Sequence, residues 1–488
     1  MIETRDLKTF GFGLILVAIL SIGMALNALL TVGLLVILLA AAMSTVYRRR
    51  LPILFLSVAT CLLAGYMFLN RGFAHFGVPP IYVGEVVLVV GLFAAVLTGR
   101  WVHSLRLPLG WLIMIFVFWG AARTAPYSEA YGFDALRDGV VWGYAAYAVV
   151  LAVFFVRAEW LVRIPAVARR LIPWFVIWVP IVTIIRQLFP DTIATVPNTD
   201  VSVLHLKSGD AAAHLVGIAA FWLLGMHRNR NNGVDALLSL KEWGWWAIWL
   251  AAFVLVSNRA GLVAVLVVVA FLILVRPYSH WGKLAATILI AFSVSLAVDF
   301  EVSVGEGRTV APQHLVERLH SVVTTSEEAR LENTRQWRLQ WWGDIISYTF
   351  VGDYFWFGKG YGINLATADG YQVLGDDSLR SPHNGHLNIL ARSGVPGFSL
   401  WVVLQVVFFI SMLRTYYRAR RHGYDWWSRF TLWILAYWLG FMVNMSFDVF
   451  LEGPQGGIWF WSVFGFGIAN LVVQRDLKPR HHVLLETQ

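Results

Sequence analysis

The chain has 488 residues, 58% of them hydrophobic and only 14% charged, with a mean hydropathy of +0.65, whereas soluble domains sit near 45–50% and 25%. That balance excludes a soluble enzyme and describes an all-α polytopic membrane protein. The net charge of +9 could suit nucleic acid. However, most Lys and Arg lie in short segments between apolar runs, where membrane orientation accounts for them, so no nucleic-acid partner is expected.

In chain order, apolar windows long enough to cross a hydrocarbon core of about 30 Å as helices fall at 10–26, 28–46, 51–69, 80–98, 107–122, 139–156, 171–187, 211–226, 244–257, 260–275, 284–300, 396–413, 430–447 and 456–474. They predict about fourteen spans. The first has no small-residue cleavage site and is expected to be a retained helix. Residues 1–300 thus hold spans one to eleven, 301–395 a long polar and aromatic loop, 396–474 spans twelve to fourteen, and 475–488 a tail. Alternate short loops hold 24 Lys and Arg on one side and 6 on the other. By the positive-inside rule both termini are cytoplasmic and the 301–395 loop is extracytoplasmic. The 24 Trp, 16 Tyr and 32 Phe suit a chain with many helix ends at the lipid–water interface. The single cysteine, Cys61, lies in an apolar run and leaves no intrachain disulfide or thiolate metal site.

Ionisable residues in or beside the spans gather on the outer side: Glu85, His214, Asp299, Asp448 and Glu452. Intramembrane charge is costly and often functional, although helix-end side chains also reach headgroups. In the long loop, Pro312 to Val323 carries an amphipathic stripe, and Thr325 with Glu328 forms a capping-box pattern that opens a helix running to about Tyr348. On that helix Arg335, Arg338 and Trp342 share a face, and Trp337 and Trp341 occupy a neighbouring face suited to headgroups or a sugar ring. Gly358-Lys359-Gly360-Tyr361-Gly362 follows as a turn-forming run able to hold phosphate, and then His383-Asn384-Gly385-His386.

The run His383-Asn384-Gly385-His386-Leu387 through Gly394-Val395-Pro396-Gly397 resembles the signature of the O-antigen ligase and polysaccharide polymerase family. Arg335-x-Trp337, Gly360-x-Gly362 and Ser257-Asn258-Arg259-Ala260-Gly261-Leu262 resemble further motifs of that family. Arg392 stands where the family usually has Glu, so that Glu's role does not transfer; contact with a lipid headgroup is favoured for Arg392 over a third phosphate contact. The resemblance implies a GT-C-like, metal-independent enzyme without cofactor in a bacterial inner membrane. Its partners would be an undecaprenyl-diphosphate-linked glycan and a glycan or lipid A core acceptor.

Elementary chemistry is compatible with that. A departing diphosphate needs fixed positive charge, which arginine supplies with a planar fork of donors. Arg259 and Arg335 are the expected diphosphate contacts; their competing readings are snorkelling and an ion pair with Glu328 or Glu332. An acceptor hydroxyl needs a base, and His383 is the expected one. Arg338, Asn384 and His386 are expected in supporting roles, Asn384 as a helix cap. No metal site is expected: the first outer loop has no carboxylate, and Asp376-Asp377 reads as a solvated turn. The expected reaction is transfer of the glycan to lipid A core, with polymerisation of lipid-linked repeats as the alternative. A lipid-linked glycan transporter and a non-enzymatic scaffold are the rivals of other classes.

Overall fold

The computed structural model describes residues 51–78, 81–98, 107–197, 199–228, 240–256, 258–276, 302–304, 308–310, 329–373 and 377–476. The predicted spans 10–26, 28–46 and 284–300, the stretch Pro312 to Val323, the pair Thr325 and Glu328, and Ser257, Asp299 and Asp376 lie outside them.

Helices fill the remaining predicted windows: α1 (Leu51–Leu69), α2 (Val83–Thr98), α3 (Pro108–Thr124), α4 (Phe133–Gly143), α5 (Ala145–Phe155), α6 (Arg163–Leu188), α7 (Ser208–Leu223), α8 (Leu240–Val256) and α9 (Arg259–Val275). The long loop contributes α10 (Ala329–Phe350) and the short α11 (Leu365–Asp369), followed by α12 (Gly385–Arg421), α13 (Asp425–Met445) and α14 (Pro454–Asp476). Four helical segments are long and apolar enough to cross a membrane: Pro108–Tyr131, Ala158–Leu188, Gly385–Arg421 and Pro454–Asp476. The pair α4 and α5, bent by 42°, passes the same test as one broken span. Phe55–Leu69, Val83–Val96 and Arg259–Val275 are apolar but shorter. Four or five of the fourteen expected spans therefore satisfy length and hydropathy together among the described residues. Short helical turns, among them Arg71–Ala74, Ser128–Tyr131 and Ala158–Leu161, and two antiparallel strand pairs, Gly77–Val78 with Ile81–Tyr82 and Val302–Val304 with Arg308–Val310, lie between the longer helices.

The central packing element is α13, which lies against α7, α9, α12 and α14, while α5 runs along α14. In lipid, helix association depends on close backbone approach, which small residues permit. At Gly465 a Cβ would lie 2.8 Å from the Ala148 carbonyl oxygen, so the α5–α14 contact requires glycine there. Trp401, Trp427 and Trp461 are fully buried in this bundle.

A second, smaller core belongs to the long loop: Trp341, Ile345, Leu365, Ala366, Leu390 and Ala391, with Trp337 and Tyr371 packed against it. The sequence places Trp337 and Trp341 on a face open to headgroups or sugar. Instead Trp341 is fully buried, stacks on Tyr371 at 5.3 Å and donates to Asp369 Oδ2 at 2.6 Å.

This loop unit is pinned to the bundle where α12 breaks. Gly394 has φ 68° and ψ −176° inside α12, two residues before Pro396, which has no N–H to give. The carbonyls freed by the break are taken up from outside: Lys359 N–H donates to Ala391 O at 2.7 Å and Gly360 N–H to Arg392 O at 3.0 Å. Gly358, at φ 60°, approaches so closely that a Cβ would meet the Arg392 carbonyl carbon at 2.5 Å.

Candidate functional site

Three helix N-termini approach one another around Asp448. Asn258 caps α9, its Oδ1 accepting from Gly261 N–H at 2.8 Å. Asn384 caps α12, accepting from His386 N–H at 3.0 Å and Leu387 N–H at 3.1 Å. The third is α7: a Cβ on Gly209, in its first turn, would stand 3.3 Å from both Asn258 Nδ2 and Asp448 Oδ2, and one on Gly385 would stand 3.8 Å from Asp448 O. Helix N-termini carry partial positive charge and favour anions.

The expected site residues distribute around this point. His383 is half-buried directly before the α12 cap and holds the left-handed φ of 50°. Burial lowers its imidazole to about 4, helped by the Arg338 guanidinium and opposed by Asp448. Arg338 itself is lowered by burial and by Arg259 and raised by Asp448. His383, Arg338, Arg259 and Asp448 thus form one electrostatic neighbourhood. Among the described residues no carboxylate forms an ion pair with Arg259 or Arg338, and the Arg338 Nε is buried without a hydrogen-bond partner. Arg338 is placed by its helix: one turn on, Trp342 Nε1 donates to Pro382 O at 2.7 Å and draws that face of α10 to the residue before His383. Arg338, expected as a supporting residue, lies in the cluster. Arg335 is on α10 one turn earlier, and its side chain lies outside the described residues.

His386 is occupied elsewhere. Its Nε2 hydrogen-bonds Met442 O at 3.2 Å and its Nδ1 accepts from Trp401 Nε1 at 3.1 Å. Both ring nitrogens are used within the bundle, which fixes a neutral tautomer.

Two neighbours, Lys207 and Asn444, were not singled out in the sequence as contacts. Lys207 pairs with Asp448 at 2.6 Å; burial pulls the ammonium down, but Asp210 and Asp448 outweigh it and leave Lys207 above its ordinary value. Asn444, fully buried at the end of α13, has neither side-chain atom hydrogen-bonded, and its Oδ1 lies 3.5 Å from a Cβ built on Gly209. The legible signal was polar residues closing an apolar span, as in Asn444 through Asp448.

Beside the cluster lies a second set of charges, all paired. Arg392 is 1% exposed and forms an ion pair with Asp138 at 2.9 Å. It also donates to Asn388 Oδ1 at 3.0 Å and to the carbonyls of Gly360 and Ile363. The expectation of a headgroup or phosphate contact for Arg392 is therefore corrected: a fully enclosed guanidinium reaches neither. Gly360 to Gly362 likewise hold protein rather than phosphate, since Gly362 N–H donates to Asp138 at 3.0 Å and Lys359 pairs with Asp369. Arg380 joins Asp138 at 3.2 Å.

The outer-side residues separate. Asp448 belongs to the cluster and Glu452 to the bonds beside it. Glu85 accepts from Tyr144 OH at 2.5 Å and His214 meets Tyr437 OH at 2.6 Å, both within the bundle.

A family model described as O-antigen ligase matches residues 244–402, about a third of the chain. The matched segment contains Arg259, Arg335, Arg338, His383 and Arg392, while Asn444, Asp448 and Glu452 follow it. No curated protein matches the chain.

Proposed function

From the O-antigen ligase family assignment that this match supports, we propose that the protein is an inverting, metal-independent glycosyltransferase. It moves a glycan from undecaprenyl diphosphate to an acceptor hydroxyl, lipid A core being the acceptor. The observation that carries the reading is the grouping of one imidazole of lowered basicity with Arg338 and, beside it, Arg259, two guanidinium groups that form no ion pair with a described carboxylate. Polymerisation of lipid-linked repeat units uses the same groups and is the second reading, since the family match serves both.

In the reaction, neutral His383 takes the proton of the acceptor hydroxyl as its oxygen attacks the anomeric carbon. The bond between that carbon and the diphosphate oxygen breaks, and both electrons leave with the diphosphate. Arg259 and Arg338 meet the growing negative charge, assisted by the positive ends of α7, α9 and α12. Arg335, one turn from Arg338, is a further diphosphate contact in this reading. A single displacement from the face opposite the leaving group inverts the sugar. The site faces the extracytoplasmic side of a bacterial inner membrane, with both termini in the cytoplasm, in keeping with the basic-residue bias.

The test is incubation of purified protein with an undecaprenyl-diphosphate glycan and candidate acceptors in the presence of chelator, beside His383→Ala. Product on lipid A core supports a ligase and a ladder of repeats a polymerase, each with His383→Ala reduced by at least about 10³-fold, the order of an essential base. Full transfer by His383→Ala, or strict dependence on added metal, overturns the mechanism.

A further inference from the structure

The left-handed backbone of His383 needs a cause. Non-glycine residues hold such φ values only where the surroundings over-determine them. The surroundings here are a bracket. Glu452, in the turn between α13 and α14, accepts from Ser381 Oγ at 3.0 Å and from Asn388 Nδ2. Ser381 precedes His383 by two residues, and Asn388 lies in the first turn of α12. One carboxyl group therefore ties both ends of the segment that carries the imidazole. The orientation of the Asn388 amide is fixed in turn, because its Oδ1 accepts from Arg392 Nε at 3.0 Å and Arg392 is anchored on Asp138.

We propose that Glu452 is a positioning residue for the transfer: its two hydrogen bonds close the His383 turn and aim the imidazole at the acceptor. The inference rests on the transfer reading given above. Glu452 makes no direct bond to His383, Arg259 or Arg338, so it acts through geometry. Burial lifts its carboxyl to about 7, against the pull of Arg392 and with Asp138 and Asp448 adding to the rise. The tie survives either protonation state. When ionised, the carboxylate accepts both bonds; when neutral, its hydroxyl donates to Ser381, whose own hydroxyl can turn and accept. Glutamine reproduces the neutral arrangement with no charge at all, whereas alanine removes both bonds.

The experiment compares transfer kinetics of Glu452→Gln, Glu452→Ala and His383→Ala in the full-length purified protein. Glu452→Ala is expected to lower kcat by about 10–100-fold with the KM for the lipid-linked donor within about 3-fold, because aim is lost and diphosphate binding kept. Glu452→Gln is expected within about 3-fold of the parent. Should Glu452→Ala fail to fold, Ser381→Ala removes one of the two bonds and is expected to show the same split at about 3–10-fold. An unchanged kcat in Glu452→Ala or in Ser381→Ala, with His383→Ala inactive, overturns the positioning role and leaves the transfer reading standing. Equal damage from Gln and Ala also overturns it, since charge and not geometry would then be needed. Full activity in His383→Ala overturns the transfer reading instead.

Discussion

Two clusters of arginine lie side by side in this protein and differ in how they are paired. Arg392 and Arg380 surround Asp138 at 2.9 Å and 3.2 Å, enclosed and neutralised. Arg338 adjoins His383 and Arg259 adjoins Arg338, neither arginine with an ion-pair partner among the described residues. A buried charge is tolerated when paired, so the first cluster is complete without any ligand. The second holds permanent positive charge beside three helix N-termini, and in the transfer reading an anion completes it. The comparison teaches that residue type and motif position do not assign an arginine; its neutralisation does.

The comparison breaks most visibly through Arg392. Replacing it with alanine leaves Asp138 buried without its closest cation and frees the carbonyls of Gly360 and Ile363. A loss of about 3–5 kcal/mol is expected, read as a fall in thermal unfolding temperature in detergent. The damage would reach transfer only through the fold. A variant as stable as the parent would remove the scaffold reading of this cluster.

Arg338→Ala is the complementary change. It deletes a cation with no ion-pair partner among the described residues, so stability should stay within about 0.5 kcal/mol or rise, while transfer falls about 10²–10³-fold, the size seen when one transition-state donor is removed. Arg338→Lys should recover part of the loss, because a point charge replaces a fork. Destabilisation by Arg338→Ala equal to that of Arg392→Ala would erase the distinction between the clusters.

The pH dependence sharpens the same contrast. His383 is lowered from 6.5 to about 4 by burial and Arg338, so it is the neutral base at pH 7 and loses that form only as pH falls through about 4. The unfolded chain takes up this proton below about 6.5, earlier than the native state. His383 therefore costs stability progressively as pH drops from about 6.5 to 4. Comparing melting temperatures of parent and His383→Gln across that window should show the difference shrinking or reversing toward acid. A constant difference would place His383 in an environment no different from solvent.

Helical windows were legible because apolar runs report burial in lipid directly. The His383 turn and the Arg338 helix were legible in the sequence as neighbouring motifs. What stayed hidden was pairing. Arg392 and Arg338 look alike in sequence, and only the contact of α4 with the loop, more than two hundred residues apart, shows that Asp138 has claimed one of them. Trp341 was misread for a related reason: helical spacing identified its face, but not that Tyr371 and Asp369 cover that face. Asp448 was visible as an intramembrane acid, whereas its bond to Lys207 depends on tertiary geometry.

The smallest expected effect separates capping from catalysis within the His383-Asn384 pair. Asn384 Oδ1 satisfies two of the four unpaired N–H groups that open α12. Asn384→Ala should therefore cost about 1 kcal/mol of stability, and Asn384→Ser or Asn384→Asp should restore most of it, because each has a side-chain oxygen able to reach the same donors. Transfer by the serine variant should follow stability and remain within about 2-fold of the parent, a margin of roughly 0.4 kcal/mol in barrier. If serine rescues the melting temperature while transfer stays low, the amide of Asn384 touches substrate and belongs with Arg259 and Arg338. If both recover together, its function ends at the helix terminus, on the same side of the comparison as Arg392.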